Sequence, residues 1–206
     1  MNIYKHNIIN NKAILMLEKE KIIIIDKIQN SSLDLCINLS GCGFKFLNSI
    51  LKQSGASKFL INAEIPYSIN NLENFYDVKK PFVSLKNAQK LSYFSYDKFL
   101  KFKNKKILLS IGCIGSIKTF YEKKGEEKVS LYFKSSNNQE YGLNLKFNKN
   151  KKNSREFQDE IINIFILDIV NKFINENYIF HSRSKGLNNL KSISSEVVIV
   201  EEKLNG

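Results

Sequence analysis

Leu35-Cys-Ile-Asn-Leu-Ser40-Gly41-Cys42-Gly43-Phe-Lys-Phe-Leu-Asn-Ser-Ile-Leu51 joins a strand pattern to an amphipathic-helix pattern through a short run of small residues. The alternation from Asp34 to Leu39 predicts a short strand, and the spacing after Gly43 predicts a helix to about Gln53. Such a junction puts the Ser40 hydroxyl and several backbone N–H groups at a helix N-terminus. Aligned peptide dipoles favour an anion or a developing oxyanion there. The bland alternative is a tight strand-to-helix turn that needs small side chains. Ser40 also lacks the flanking glycines of a nucleophile elbow.

Working outward, residues 8 to 28 mix apolar residues with Lys and Glu at helical spacing. Ser54-Gly55 supplies a glycine where a left-handed helix stop is expected. Lys58 to Ile65 reads as a second strand, stopped by Pro66-Tyr67-Ser68. Ser84 is placed to cap a helix running to about Phe102. Ile107 to Ile111 has the apolar pattern of a strand covered on both faces, and it feeds Gly112-Cys113-Ile114-Gly115-Ser116, read as a second glycine turn. Val129 to Phe133 and Tyr141 to Phe147 alternate as an antiparallel pair around Ser135 to Asn138. Asn153-Ser154 caps a long helix through Ile174, and Glu196 to Val200 reads as an edge strand. This order predicts one α/β domain with a mixed sheet between helical layers. The expected division is an N-terminal helical segment at 1–29, a domain at 30–176 and an extension at 177–206.

Composition bounds the function. The 206 residues are 43% hydrophobic and 12% aromatic, a globular balance. Apolar runs such as Ile22 to Ile25 fall far short of the ~20 residues that span a bilayer. The beginning of the chain has no signal-peptide pattern, which with three irregularly spaced cysteines points to a cytoplasmic protein with no membrane partner. The net charge of +12 invites a nucleic-acid reading. Its lysines are scattered, however, and Arg155 and Arg183 are the only arginines, although arginine dominates bidentate recognition of phosphates and bases. Nucleic acid is therefore not the expected partner.

Histidine chemistry would rest on His6 and His181, both far from the strong elements. Cys36, Cys42 and Cys113 lack metal-ligand spacing, so neither metal nor cofactor is expected. Cys42 and Cys113 both sit in glycine-containing segments after strands, and the carboxyl ends of neighbouring strands share one crevice. The two thiols are expected to face each other, and a helix N-terminus would lower a thiol pKa there. Arg155, in the first turn of the last helix, is a candidate for a phosphate or carboxylate, or for pairing with Glu156 or Asp159.

In order and spacing, these segments resemble the CinA C-terminal domain family, which includes nicotinamide-nucleotide amidohydrolases. The resemblance rests on Leu39-Ser40-Gly41-Cys42-Gly43-Phe44, Ser54-Gly55-Ala56-Ser57, Pro66-Tyr67-Ser68, Val83-Ser84-Leu-Lys-Asn-Ala88, Ile111-Gly112-Cys113-Ile114-Gly115-Ser116 and Ser154-Arg155-Glu156. It covers roughly residues 30 to 176 and is closest to a branch with a glycine-rich first motif and a Lys-Lys-Gly-Glu hairpin, as at Lys123 to Glu126. The resemblance implies a three-layer α/β/α domain with a mixed sheet, and a homodimer. It also implies deamidation of nicotinamide mononucleotide by a Ser, a Lys and a Thr. Ser matches Ser40, but the Lys falls on Leu72 and the Thr on Ile111. A serine without a base is a poor nucleophile. The expectation is a catalytically impaired protein that binds a pyridine nucleotide, another small anionic ligand or a protein partner through Gly41, Cys42, Gly43, Tyr67, Gly112, Cys113, Gly115 and Arg155. The alternative is an active amidohydrolase with Ser40 as nucleophile.

Overall fold

The computed structural model describes residues 18–121, 124–148 and 154–174, and the backbone of 197–201. Both histidines and Arg183 lie outside these ranges, as does part of the Lys123 to Glu126 hairpin. Helix α1 occupies 18–30. It is followed by β1 (Leu33–Ser40), α2 (Phe44–Leu51), β2 (Leu60–Glu64), α3 (Ile69–Phe75), α4 (Leu85–Phe99), β3 (Ile107–Ser116), β4 (Glu127–Ser135), β5 (Glu140–Phe147), α5 (Arg155–Ile174) and β6 (Val197–Glu201). The six strands form one mixed sheet in the order β2-β1-β3-β4-β5-β6. β1 runs parallel to β2 and β3, and the remaining neighbours are antiparallel.

All eight residues of β1 are buried, so its alternation separates two covered faces rather than core from solvent. Leu33, Leu35, Ile37 and Leu39 join α1, α2 and α5 in the larger core, through Ile25, Phe46, Ile50, Phe165 and Val170 among others. The opposite face carries Asp34, Cys36, Asn38 and Ser40 and lies under α4. Asn38 Nδ2 donates to the Leu91 carbonyl at 2.8 Å and to Ser95 Oγ at 2.6 Å. Ser92 and Ser110 exchange hydroxyl-to-carbonyl hydrogen bonds at 3.0 and 2.6 Å. Buried polar groups are tolerated when paired in this way, and the pairs fix how α4 sits on the sheet. Leu72, Val78, Leu85, Ala88, Leu91, Ile114 and Tyr132 complete this second, smaller core. The result is the α/β/α arrangement with a mixed sheet that the sequence predicts.

Several local expectations hold. Gly55 adopts φ +95° after α2, Ser84 Oγ accepts from Asn87 N at the start of α4, and Ser154 Oγ accepts from Phe157 N at the start of α5. Two need correction. Gly112 to Ser116 is not a turn but the second half of β3. Its glycines mark close approaches within a strand, since a Cβ at Gly112 would meet the Ala88 carbonyl oxygen at 2.0 Å. Helix α3 is an addition after Tyr67, started by Ser68 Oγ accepting from Asn71 N at 3.2 Å. Pro66 and the paired Asn70 and Asn71 make that segment look like loop, because asparagine competes with helix by bonding its own backbone.

Candidate functional site

The turn after Ser40 depends on two glycines with positive φ, Gly41 at +77° and Gly43 at +85°. Gly43 stands at the N-cap of α2, where it offers no side-chain acceptor, and the first turn of α2 contains no acidic residue. The orphan amides are satisfied from across the molecule. The Gly43 N–H donates to Asp159 Oδ1 at 2.5 Å and the Lys45 N–H to Asp159 Oδ2 at 2.8 Å. Asp159 lies in the first turns of α5 and is buried. The anion that the helix terminus favours is therefore a carboxylate of the chain itself.

The two glycine segments do meet, without leaving a gap. A Cβ at Gly41 would lie 2.2 Å from the Gly115 carbonyl oxygen, so the turn presses directly on β3. Cys42 and Cys113 face each other as expected, with their sulfurs 3.5 Å apart, and both are fully buried. Burial pushes the Cys113 thiol well above its ordinary pKa, and neighbouring Cys42 and the Asp159 charge add to the rise. The lowering expected at a helix N-terminus is not found at Cys113, which lies in β3 rather than at a helix end. Cys36, on the other face of β1, is pushed up to about 12, chiefly by burial.

Arg155 donates from Nη2 to the Gly41 carbonyl at 2.7 Å and from Nη1 to the Lys118 carbonyl at 3.1 Å. It ties the turn to the segment after β3. Beside it, Gln158 accepts from the Lys118 N–H at 2.8 Å and donates to Glu127 at 2.6 Å. These contacts lock the start of α5 onto the ends of β1 and β3.

Ser40 is 4% exposed. Its partner across the β1–β3 ladder is Ile114, whereas Ile111 pairs with Ile37. Ile37 and Ile111 belong to the α5-side core, and alternation puts Ser40 on the α4 side. Leu72 is buried beneath α3 in the smaller core. Among the described residues, no lysine, histidine or carboxylate is hydrogen-bonded to Ser40. Also among the described residues, no group of three or more His, Cys, Asp and Glu side chains could hold a metal, and no helix is long and apolar enough to cross a membrane.

Tyr67 is 67% exposed and stands just before α3. There the surface forms an open hollow of about 390 Å³ lined by Ser68, Asn70, Asn71, Asn74, Phe75 and Tyr76. Tyr76 donates to Glu64 Oε2 at 2.8 Å, and Lys98 reaches Glu64 Oε1 at 2.7 Å. Sequence reasoning missed this surface together with α3, and missed Asp159 as the cap of α2. A helix starting at a glycine with no local acceptor was the available sign that its cap comes from elsewhere.

No protein-family model and no curated protein matches the chain by sequence. Solved structures do match. The competence-damaged protein (CinA) superfamily protein from Klebsiella pneumoniae 700603 has a TM-score of 0.59 at 12% identity, covering 77% of this chain and 98% of that one. A competence or damage-inducible protein from Enterobacter asburiae has a TM-score of 0.56 at 13% identity, covering 76% and 96%. The competence/damage inducible protein CihA from Agrobacterium tumefaciens has a TM-score of 0.51 at 12% identity, covering 77% and 93%. The chain has a CinA-like fold.

Proposed function

We propose that this CinA-like domain is a binding protein rather than an amidohydrolase, and that its ligand is a small polar aromatic molecule of the pyridine-nucleotide class. The observation that carries the reading is the setting of Ser40. The residue at the position of the family lysine, Leu72, is a buried hydrocarbon, and the residue at the position of the threonine, Ile111, lies on the opposite face of the sheet. General-base assistance contributes ~10²- to 10⁴-fold to such reactions, and among the described residues no lysine or carboxylate is hydrogen-bonded to Ser40 to supply it. The neighbouring amides that could stabilise an oxyanion already hold Asp159.

Binding is assigned to the hollow beside α3 because the turn itself is packed. Asn74 Nδ2 donates to Asn70 Oδ1, and Asn71 beside them carries an amide that can both donate and accept, matching a carboxamide, while Phe75 is 60% exposed and Tyr67 offers a second aromatic face nearby in sequence. Dimerisation, implied by the family resemblance, belongs to the same proposal; a monomer mass by light scattering would remove it.

The test is incubation of the purified chain with nicotinamide mononucleotide, with ammonia release and thermal stability measured in parallel. The expected result is no ammonia above the Ser40→Ala control, and a rise in Tm that Asn71→Ala and Phe75→Ala each diminish. Ammonia release abolished by Ser40→Ala would overturn the reading in favour of the hydrolase. Absence of both turnover and stabilisation would remove the nucleotide and leave a protein partner as the ligand class.

A further inference from the structure

We propose that Cys42 and Cys113 are joined by a reversible disulfide when the protein meets a hydroperoxide, stapling the turn between β1 and α2 to β3. The two sulfurs touch at 3.5 Å although the residues are 71 positions apart. A disulfide requires an approach of about 1.5 Å more, to an S–S length of ~2.05 Å. The surroundings favour that movement over any competing reaction. Gly43 and Gly115 flank the pair, and Cβ atoms there would lie 3.2 Å from Cys113 Sγ and 2.3 Å from Cys42 Sγ. Larger side chains would hold the sulfurs apart. Both thiols are fully buried, so peroxide and small thiols alike reach the pair only when the turn opens.

The third cysteine is an internal control. Cys36 is equally buried, but it lies on the α4 side of β1, whereas Cys113 lies in the α5-side core. Burial alone would treat the three alike; proximity selects two.

The chemistry balances with hydrogen peroxide as the two-electron oxidant. When the turn opens, one thiol loses its proton to solvent. The thiolate attacks a peroxide oxygen, the O–O bond breaks, and a sulfenic acid and hydroxide form, the hydroxide taking up the released proton as water. The second sulfur attacks the sulfenic sulfur, the S–O bond breaks, and a disulfide and a second water form. Because the pair is enclosed, the rate follows opening of the turn, and urea well below the unfolding midpoint accelerates it.

The experiment treats the folded chain with hydrogen peroxide, alkylates remaining thiols in denaturant, and maps peptides by mass spectrometry without reduction. The expected product links the Cys42 and Cys113 peptides with loss of two hydrogens, leaves Cys36 alkylated, and reverts with dithiothreitol. Closing a loop of this length also raises Tm by several degrees in the oxidised form. Oxidation of Cys36 at the same rate as the pair would overturn the proposal. So would Cys42 and Cys113 remaining fully alkylatable, or ending as separate sulfinic acids. Cys113→Ser is expected to abolish the linked peptide. If that variant does not fold, the wild-type peptide map decides by itself.

Discussion

The carboxylate of Asp159 in α5 caps α2 by accepting from the Gly43 and Lys45 N–H groups at 2.5 and 2.8 Å. A helix with no acceptor of its own at its N-terminus is thus capped from 114 to 116 positions away in the chain. Replacing Asp159 by Ala leaves the buried Gly43 amide and the partly buried Lys45 amide unpaired and should cost ~2 to 3 kcal/mol, read as a lower urea midpoint at unchanged slope. Asp159→Asn, which retains one acceptor, should cost less. Sulfate should raise the Tm of Asp159→Ala more than that of the wild type, since the vacated amides favour an anion. Equal responses of the two proteins to sulfate would show that the cradle collapses when the carboxylate is removed.

Much of the sheet is legible locally because β1, the first half of β3, β4 and β5 carry unbroken alternating or apolar patterns. What is not legible depends on partners distant in sequence. Gly112 and Gly115 look like a turn from either side, yet they are strand residues shaved down so that α4 and Cys42 can approach the backbone. Asp159 reads as one more acidic residue on a helix, because nothing within its own turn reveals the amides it serves. The facing of Cys42 and Cys113 was legible, since adjacent parallel strands bring their carboxyl ends together. The packing that closes the gap between them was not.

Gly112 gives a steric prediction. A methyl group there would sit 2.0 Å from the Ala88 carbonyl oxygen and 2.7 Å from the Ser92 nitrogen, both backbone atoms of α4. They can yield only if the helix lifts, which would also strain the paired hydrogen bonds between Ser92 and Ser110. Gly112→Ala should therefore cost about 3 kcal/mol, at the upper end of overpacking effects. Thermal unfolding and soluble yield check this. A variant within 1 °C of wild type would mean that α4 is not seated as tightly as its contacts indicate.

Acid should loosen the contact between α4 and the β4–β5 hairpin. Tyr132 and Tyr93 donate to Glu140, the latter at 2.6 Å, and Lys134 pairs with it at 2.6 Å. Partial burial pushes the Glu140 pKa up, but Lys134 and the two tyrosine hydroxyls outweigh it and hold the carboxyl below its ordinary value. A carboxylate with a depressed folded pKa contributes stability that is present above its unfolded pKa of ~4.3. That contribution is lost as pH falls through the lower folded value. Urea midpoints measured from pH 7 to pH 3 should fall more steeply for wild type than for Glu140→Gln. Parallel curves would show that the network is too exposed to contribute.

Installing the family's chemical groups should not restore catalysis. Lysine at position 72 would replace a side chain buried in the smaller core, with desolvation opposing its charge. Threonine at position 111 would put a hydroxyl among Ile37, Phe133 and their neighbours in the α5-side core, costing ~1 to 3 kcal/mol. Ser40 stands three residues beyond the ladder partner of Ile111 and faces the other way, so the new hydroxyl cannot reach it. The Leu72→Lys, Ile111→Thr double variant should be less stable than wild type and still release no ammonia from nicotinamide mononucleotide. Turnover in that variant, lost again with Ser40→Ala, would mean that the strand ends can rearrange enough to bring residues 40 and 111 to one face. It would restore Ser40 as a nucleophile kept idle only by its neighbours.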